Sequence, residues 1–211
     1  MTRGVAITGA GIVSSIGCNQ AEVWQSIAQQ RRGIGPMKYL SSTHREFPVG
    51  EVPMSNDEMK AALGIDASEE VSRTVLLGML AVRESFADAG LLSSELHLKG
   101  RRVVLISGTT VGGMDITEQH IADLSAGKGD ADCIKTHDGG STTQLIADYF
   151  GCFTACTTLS TACSSAANAL MLGARLIAHG EADIVVAGGT EALSRFHFAG
   201  FHSLMILDQA P

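Results

Sequence analysis

Runs of apolar or β-branched residues alternate with amphipathic stretches along the whole chain. These runs predict β-strands at residues 4–8, 102–107, 155–160 and 183–187. Apolar residues at helical spacing predict helices between them, over 21–29, 66–90, 142–150 and 164–178. Such alternation is typical of an α/β fold, in which helices flank a parallel or mixed sheet.

The sequence also marks helix faces and helix ends. In the first predicted helix, the spacing puts Trp24 and Ile27 on the apolar face. Asp66 and Glu69 form a capping-box-like start to the second helix, and Gly90 closes it. We expect this second helix to be core scaffolding.

Cys163 lies at the junction between the predicted strand 155–160 and the helix that follows. A thiol at a helix N-terminus meets unpaired backbone N–H groups and the positive end of the helix dipole, which favour the thiolate. Its neighbours Ala162, Ser164 and Ser165 are small, so a carbonyl substrate has room to approach the sulfur and these N–H groups. Cys163 is therefore a candidate nucleophile, with a buried structural cysteine as the alternative.

Composition and charge exclude several partners. The chain has 211 residues, of which 45% are hydrophobic, enough to bury a sizeable core. Its formal charge of −7 argues against a general surface for nucleic acid or anionic membranes. No hydrophobic run approaches the length that crosses a membrane. We therefore expect no nucleic acid and no membrane as partners.

The five cysteines lack CxxC spacing, which favours reduced thiols in a cytoplasmic protein. The acidic loop 130–138 matches no known metal-binding pattern, so we expect a solvated loop and no metal site. The pair Gly9 and Gly11 lacks the third glycine of a dinucleotide fingerprint, which favours a tight turn over a nucleotide site.

Several motifs, in order, resemble those of one enzyme family. The segment 160–165 (STACSS), followed by 182–191 (ADIVVAGGTE), is similar to the nucleophile region of the β-ketoacyl-[acyl-carrier-protein] synthases of the thiolase superfamily. Residues 5–17 (VAITGAGIVSSIG) resemble the family's first strand and turn, and 109–113 (TTVGG) its glycine-rich loop. The resemblance covers the whole chain and is closest to the elongating type of synthase.

This resemblance implies a fold and a set of site residues. The chain, 1–211, would be one domain, the N-terminal half of a thiolase-like α/β fold with a mixed sheet flanked by helices, without the second half. Cys163 would be the acyl-accepting nucleophile, and its backbone N–H an oxyanion donor. Val111 and Phe201 would line the acyl tunnel, although core packing is the simpler expectation for the aromatic group Phe196, Phe198 and Phe201. No metal or organic cofactor is implied, because decarboxylation itself generates the carbon nucleophile.

The main departure from the family is the absence of the motifs that its second half carries. In the family, that half supplies two catalytic histidines, a lysine and a glycine-rich loop with a phenylalanine. None of these motifs occurs in this sequence, and its histidines (44, 97, 120, 137, 179, 197 and 202) match neither histidine motif. We therefore expect a truncated or split chain that does not carry out condensation alone.

The resemblance also implies partners. These are acyl and malonyl forms of acyl carrier protein, together with a homodimer formed near 155–160 or pairing with a C-terminal half. Basic residues suited to the acidic carrier protein are Arg31, Arg32, Lys38, Arg101 and Arg102, although ordinary solvated charge is the simpler interpretation of each. Two alternatives remain open: a coenzyme A-dependent thiolase-fold acyltransferase, and a non-catalytic partner subunit, a type that typically lacks the cysteine.

Overall fold

The computed structural model describes residues 4–91 and 98–208. Their helices are α1 (Gln20–Ala28), α2 (Asn56–Leu63), α3 (Arg73–Asp88), α4 (Met114–Ser125), α5 (Gly139–Phe150), α6 (Ser165–Ala178) and α7 (Arg195–Ser203). The strands β1 (Val103–Gly108), β2 (Ala155–Leu159) and β3 (Ile184–Gly189) form one sheet in the order β2-β1-β3. Both strand pairs are parallel. The α/β class is confirmed, and within the described ranges this sheet has no antiparallel strand of the kind that a mixed sheet implies.

Helices cover the sheet on both faces. Because side chains alternate along a strand, Leu105 of β1 and its neighbour Val186 of β3 point to the same face. There they join a core built with α3 and α5, in which Leu76 and Ile146 are fully buried. Truncating either of these side chains to alanine would cost about 2–5 kcal/mol. α6 packs on the opposite face, where a Cβ on Gly173 would lie 2.9 Å from Val185 Cγ1.

The predicted strand at 4–8 is wrong. This segment has no strand structure, and Ile7 is 88% exposed. A strand must satisfy its N–H and C=O groups on a neighbour, and among the described residues the segment pairs with neither edge of the sheet. The chain that follows is held by a helix instead, since the Ile12 N–H donates to the Glu84 carboxylate of α3 at 2.8 Å.

The apolar face predicted for α1 is also wrong. The helix buries Val23 and Ser26, whereas Trp24 and Ile27 are 72% and 56% exposed. Ser26 is buried because its hydroxyl donates to the Ile16 carbonyl at 2.5 Å, which holds the preceding loop on that side of the helix. A local polar contact therefore sets which face is covered.

α3 begins at Arg73, seven residues after the predicted start at Asp66. Asp66 closes a separate turn by accepting the Ser68 N–H at 2.8 Å. The helix is capped by Ser72, whose hydroxyl donates to Asp115 of α4 at 2.8 Å. The Asp115 carboxylate also accepts the Arg73 N–H at 2.8 Å, so it caps α3 from another helix.

Candidate active site

Cys163 lies where β2 is followed by α6, over the carboxyl edge of the parallel sheet. It is the central residue of a short 3₁₀ turn, Ala162–Ser164, and α6 begins two residues after it. Cys163 is exposed, whereas the other four cysteines are half-buried. The prediction that Cys163 sits at a strand-to-helix turn is therefore confirmed, and the alternative of a buried structural cysteine is wrong.

The turn carries backbone strain next to the sulfur. Ala162 has φ of +52°, a left-handed value that costs a residue with a side chain about 1–3 kcal/mol. Ser165 bridges the strained turn: its hydroxyl accepts the Thr161 N–H at 2.8 Å and donates to the Ala162 carbonyl at 2.7 Å. Because Ser165 is buried, these hydrogen bonds fix the backbone that carries Cys163.

Asn168 supports the same turn from the next turn of α6. Its side-chain amide donates to Thr161 Oγ1 at 2.8 Å, and the Ser164 hydroxyl donates to the Thr161 carbonyl at 2.8 Å. Sequence reasoning missed Asn168. The available signal was a lone amide in the first turn of a helix that is otherwise small and apolar apart from Arg175.

Two glycines allow α6 to approach the strand ends. A Cβ on Gly108, the last residue of β1, would lie 2.6 Å from the carbonyl carbon of Ser165. A Cβ on Gly189, at the end of β3, would lie 2.8 Å from the Ala166 Cβ. The backbone at Gly189 thus passes close to α6, whereas Gly188 has no neighbouring atom within 4 Å of the Cβ position.

Val111 lies in the loop after β1, close to this junction. It is only 4% exposed, and its N–H donates to the Glu191 carboxylate at 2.8 Å. Glu191 also accepts the Thr110 N–H at 2.9 Å and the Thr109 hydroxyl at 2.9 Å. The structure therefore adds Glu191 to the site, as the residue that holds the loop. The role of Val111 in an acyl tunnel stays a prediction.

Phe201 lies on α7 and is 46% exposed. The three phenylalanines do not share one environment: Phe198 is buried against Phe47, with ring centroids 5.8 Å apart, and Phe196 is exposed. Of the three phenylalanines, the expectation of core packing is therefore confirmed for Phe198 only. The N-terminus of α7 is tied to α4, since Glu118 accepts the N–H of Phe196 at 2.6 Å. The contact of Phe201 with an acyl chain stays a prediction.

The candidate basic residues are not all near the site. Arg102 precedes β1, whose six residues separate it from the carboxyl edge by roughly 20 Å. It pairs with Asp183 at 2.8 Å, and its guanidinium lowers the pKa of that carboxyl to about 2. Lys38 lies over the Tyr39 ring, 4.8 Å from the centroid. Arg102 therefore stabilises the amino edge of the sheet, away from Cys163.

The histidines within the described residues contact groups other than Cys163. His44 and His202 stack with centroids 4.6 Å apart, and His120 contacts Glu70 at 2.8 Å. The remaining partners are Thr117 for His137, Arg175 for His179 and Ser194 for His197. His97 lies outside the described residues.

Acidic residues of the loop 130–138 act as caps. Asp130 accepts the Asp132 N–H at 2.9 Å, and Asp138 accepts the Ser141 N–H of α5 at 2.9 Å. Over residues 4–91 and 98–208, no three His, Cys, Asp or Glu side chains are grouped to hold a metal ion. No helix in the same ranges is long and apolar enough to span a bilayer.

A three-layer α/β fold with a cysteine at a strand-to-helix turn is the arrangement that the resemblance to the thiolase superfamily implies. Residues 2–210 match the family described as "Beta-ketoacyl synthase, N-terminal domain", so the chain belongs to this family. Solved structures agree: the ishigamide ketosynthase/chain length factor superposes with a TM-score of 0.85 at 27% identity, covering 97% of this chain and 51% of that one.

Curated relatives carry related names. The chain is 26% identical to 3-oxoacyl-[acyl-carrier-protein] synthase 2 of Synechocystis sp. over 96% of this chain and 49% of the relative. It is 31% identical to 3-oxoacyl-[acyl-carrier-protein] synthase 1 of Escherichia coli, strain K12, over 92% of this chain and 48% of the relative. The chain thus spans about half the length of the curated relatives it matches.

Proposed function

We propose that this chain, 1–211, is the nucleophile-bearing half of a β-ketoacyl-acyl-carrier-protein synthase that elongates fatty-acid or polyketide chains. The observation that carries the proposal is Cys163, exposed on a strained turn at the carboxyl edge of the sheet. Ligand sites of α/β sheets lie at that edge. Exposed sulfur on a turn held by Ser165 and Asn168 suits attack on an acyl thioester.

The reaction has two steps. Cys163 sulfur attacks the carbonyl carbon of an acyl thioester, a new carbon–sulfur bond forms, and the carrier protein's thiol leaves with a proton. Malonyl-carrier protein then loses CO₂, and the resulting carbanion attacks the acyl-cysteine to give a β-ketoacyl product and free Cys163. The Cys163 backbone N–H is the proposed donor to the oxyanion. By family resemblance, the histidines of the second step belong to the other half.

The first step can be tested on this chain. Incubation with an acyl-carrier protein should add one acyl group at Cys163, detected by mass spectrometry of the intact chain and its peptides. A Cys163→Ala variant is the control and should remain unmodified. Addition of malonyl-carrier protein should release no CO₂ and give no β-ketoacyl product, because the histidine step is missing. Acylation of another residue would contradict the assignment of Cys163. Formation of a β-ketoacyl product by this chain would contradict the proposal that the second step needs the other half.

The donor separates this proposal from a coenzyme A-dependent acyltransferase. Matched acyl-carrier protein and acyl-coenzyme A should be compared at equal concentration, and the proposal expects faster acylation by the carrier protein. Arg31, Arg32 and Lys38 remain the candidate contacts for its acidic surface. Faster transfer from coenzyme A would favour the alternative acyltransferase, and complete inertness of Cys163 would favour a non-catalytic partner subunit.

The proposal includes a pairing surface and a compartment. β2 is an edge strand with half-exposed residues, which supports a homodimer, or a pairing with a C-terminal half, that extends the sheet there.

All five cysteines are free, which supports a reducing, cytoplasmic location.

A further inference from the structure

Glu191 joins the chain after β3 to the loop after β1. Its Oε1 accepts the Thr109 hydroxyl at 2.9 Å and the Val111 N–H at 2.8 Å, and its Oε2 accepts the Thr110 N–H at 2.9 Å. Hydrogen bonds to a carboxylate are roughly twice as strong as those between neutral groups. One side chain therefore anchors three successive residues of the loop.

Thr109 extends this anchor to the next residue. Its hydroxyl accepts the Gly112 N–H at 3.1 Å while it donates to Glu191. Its own N–H donates to the Leu159 carbonyl at the end of β2, at 3.1 Å. The N–H groups of residues 110–112 are thus bound to Glu191 directly or through Thr109, and the loop is fixed to both neighbouring strands.

The anchored loop determines where the Val111 side chain lies. Val111 is 4% exposed and β-branched, so its side chain has few rotamers and its methyl groups follow the backbone. The loop follows Gly108, the last residue of β1, where an added Cβ would lie 2.6 Å from the Ser165 carbonyl carbon next to the Cys163 turn. A shift of this loop therefore moves Val111 relative to the turn that carries the sulfur.

We propose that Glu191 is a positioning residue that fixes Val111 and thereby sets which acyl chain lengths Cys163 accepts. This inference rests on the proposed function, because it treats Val111 as part of the wall that meets the acyl chain. Glu191 itself touches neither the substrate nor the sulfur. Its effect passes through the backbone of Thr110 and Val111.

The test compares Glu191→Gln and Glu191→Ala with Glu58→Gln. Glu58 is a matched control because its carboxylate also accepts a backbone N–H and a hydroxyl, from Ser55 at the start of α2. Glu191→Gln loses at least one hydrogen bond to the loop, since its amide nitrogen cannot accept, and Glu191→Ala loses all three. Amide hydrogen exchange at Thr110 and Val111 should rise by about tenfold in Glu191→Gln and further in Glu191→Ala, but not in Glu58→Gln.

The second measurement is the ratio of the acylation rates of Cys163 with butyryl and palmitoyl thioesters. The ratio should change by roughly tenfold in Glu191→Gln, the order expected when a pocket wall shifts by about a methylene. The alkylation rate of Cys163 with iodoacetamide is measured separately and should stay near the wild-type rate, because the small reagent does not depend on a chain-length wall. Glu58→Gln should keep the wild-type ratio.

Each outcome has a distinct meaning. Faster amide exchange with an unchanged chain-length ratio would overturn the positioning role and leave the proposed function intact. Failure of the wild-type chain to accept any acyl group would overturn both. If Glu191→Ala does not fold, as judged by circular dichroism, Glu191→Gln decides the result, because it keeps the size of the side chain.

Discussion

Access distinguishes Cys163 from the other thiols of the chain. It is exposed on its turn, while burial raises the pKa of the Cys18 and Cys152 thiols. The neighbouring Glu22 carboxylate raises the pKa of Cys18 further. Because the thiolate is the nucleophile, the half-buried Cys18 and Cys152 should react slowly for two reasons: limited access to the sulfur and a smaller thiolate fraction.

Limited alkylation should therefore modify Cys163 first. With iodoacetamide near neutral pH, we expect Cys163 to react at least about tenfold faster than Cys18 and Cys152, as measured by peptide mass spectrometry over time. The control is the same reaction in denaturant, where the differences should largely disappear. Earlier modification of Cys18 or Cys133 in the folded protein would contradict the assignment of Cys163 as the nucleophile.

A second residue-scale prediction concerns acid stability. Hydrogen bonding to Arg102 lowers the pKa of Asp183 to about 2, from 3.8 for an unperturbed aspartate. The unfolded chain therefore takes up this proton first as the pH falls, so the stabilisation is present above pH 3.8 and is lost by about pH 2. Asp183→Asn should flatten the loss of stability in this window, measured by urea unfolding at a series of pH values.

A double-mutant cycle with Arg102→Leu is the control for this pair. In the Arg102→Leu background, Asp183→Asn should have little further effect on the pH dependence. The same slope of stability against pH in wild type and Asp183→Asn would show that the pair contributes nothing in this window.

At the level of elements, the docking of α6 on the strand ends depends on two positions without side chains. Gly108→Ala should destabilise the protein by about 1–3 kcal/mol, because its Cβ would lie 2.6 Å from the Ser165 carbonyl carbon. Urea unfolding monitors the change. Gly188→Ala is the matched control, since no heavy atom lies within 4 Å of its Cβ position. Equal destabilisation by both variants would contradict this packing argument.

The same substitution should also alter the site. A displaced α6 N-terminus shifts the turn that carries Cys163, so Gly108→Ala should change the alkylation rate of Cys163 while Gly188→Ala leaves it unchanged.

Elements defined by local patterns were predictable, and those defined by distant partners were not. The strand β1 and the helix α6 follow from their own apolar spacing, and the turn at Cys163 follows from being between two such elements. The start of α3 does not follow from its local sequence, because the Arg73 N–H is capped by Asp115, which lies 42 residues away in sequence.

The site shows the same division. Cys163 was marked by its junction and its small neighbours, both of which are local features. The role of Glu191 depends on a loop 80 residues earlier in the chain, which no spacing within its own motif reveals. The segment 4–8 was predicted as a strand from its apolar residues, but strand formation also requires a partner edge.

On the scale of the whole molecule, large apolar side chains remain exposed at separate places along the chain. Ile7 and Met205 are 88% and 90% exposed, and Trp24 lines a shallow depression of about 390 Å³ together with Ile12 and Ile27. Exposed apolar area of this kind favours association. We therefore expect the apparent mass, measured by light scattering, to rise with protein concentration.

A variant with Ile7→Ser, Trp24→Ser and Met205→Ser should associate less, because it removes exposed apolar area that is not packed in the core. Replacing Ala61, on the surface of α2, with serine provides the control and should leave the association unchanged. A constant monomer mass across a hundredfold range of concentration would contradict this expectation.

The order β2-β1-β3 leaves two open edges in the described sheet. If two copies meet through β2, a two-fold dimer forms, and each of its outer ends still presents the open edge of β3. Growth by strand addition then has no natural stopping point, because every joined copy offers a fresh template. A segment that pairs with the open edge of β3 would therefore not only extend the sheet. It would also stop further strand addition and limit the assembly to a finite number of copies.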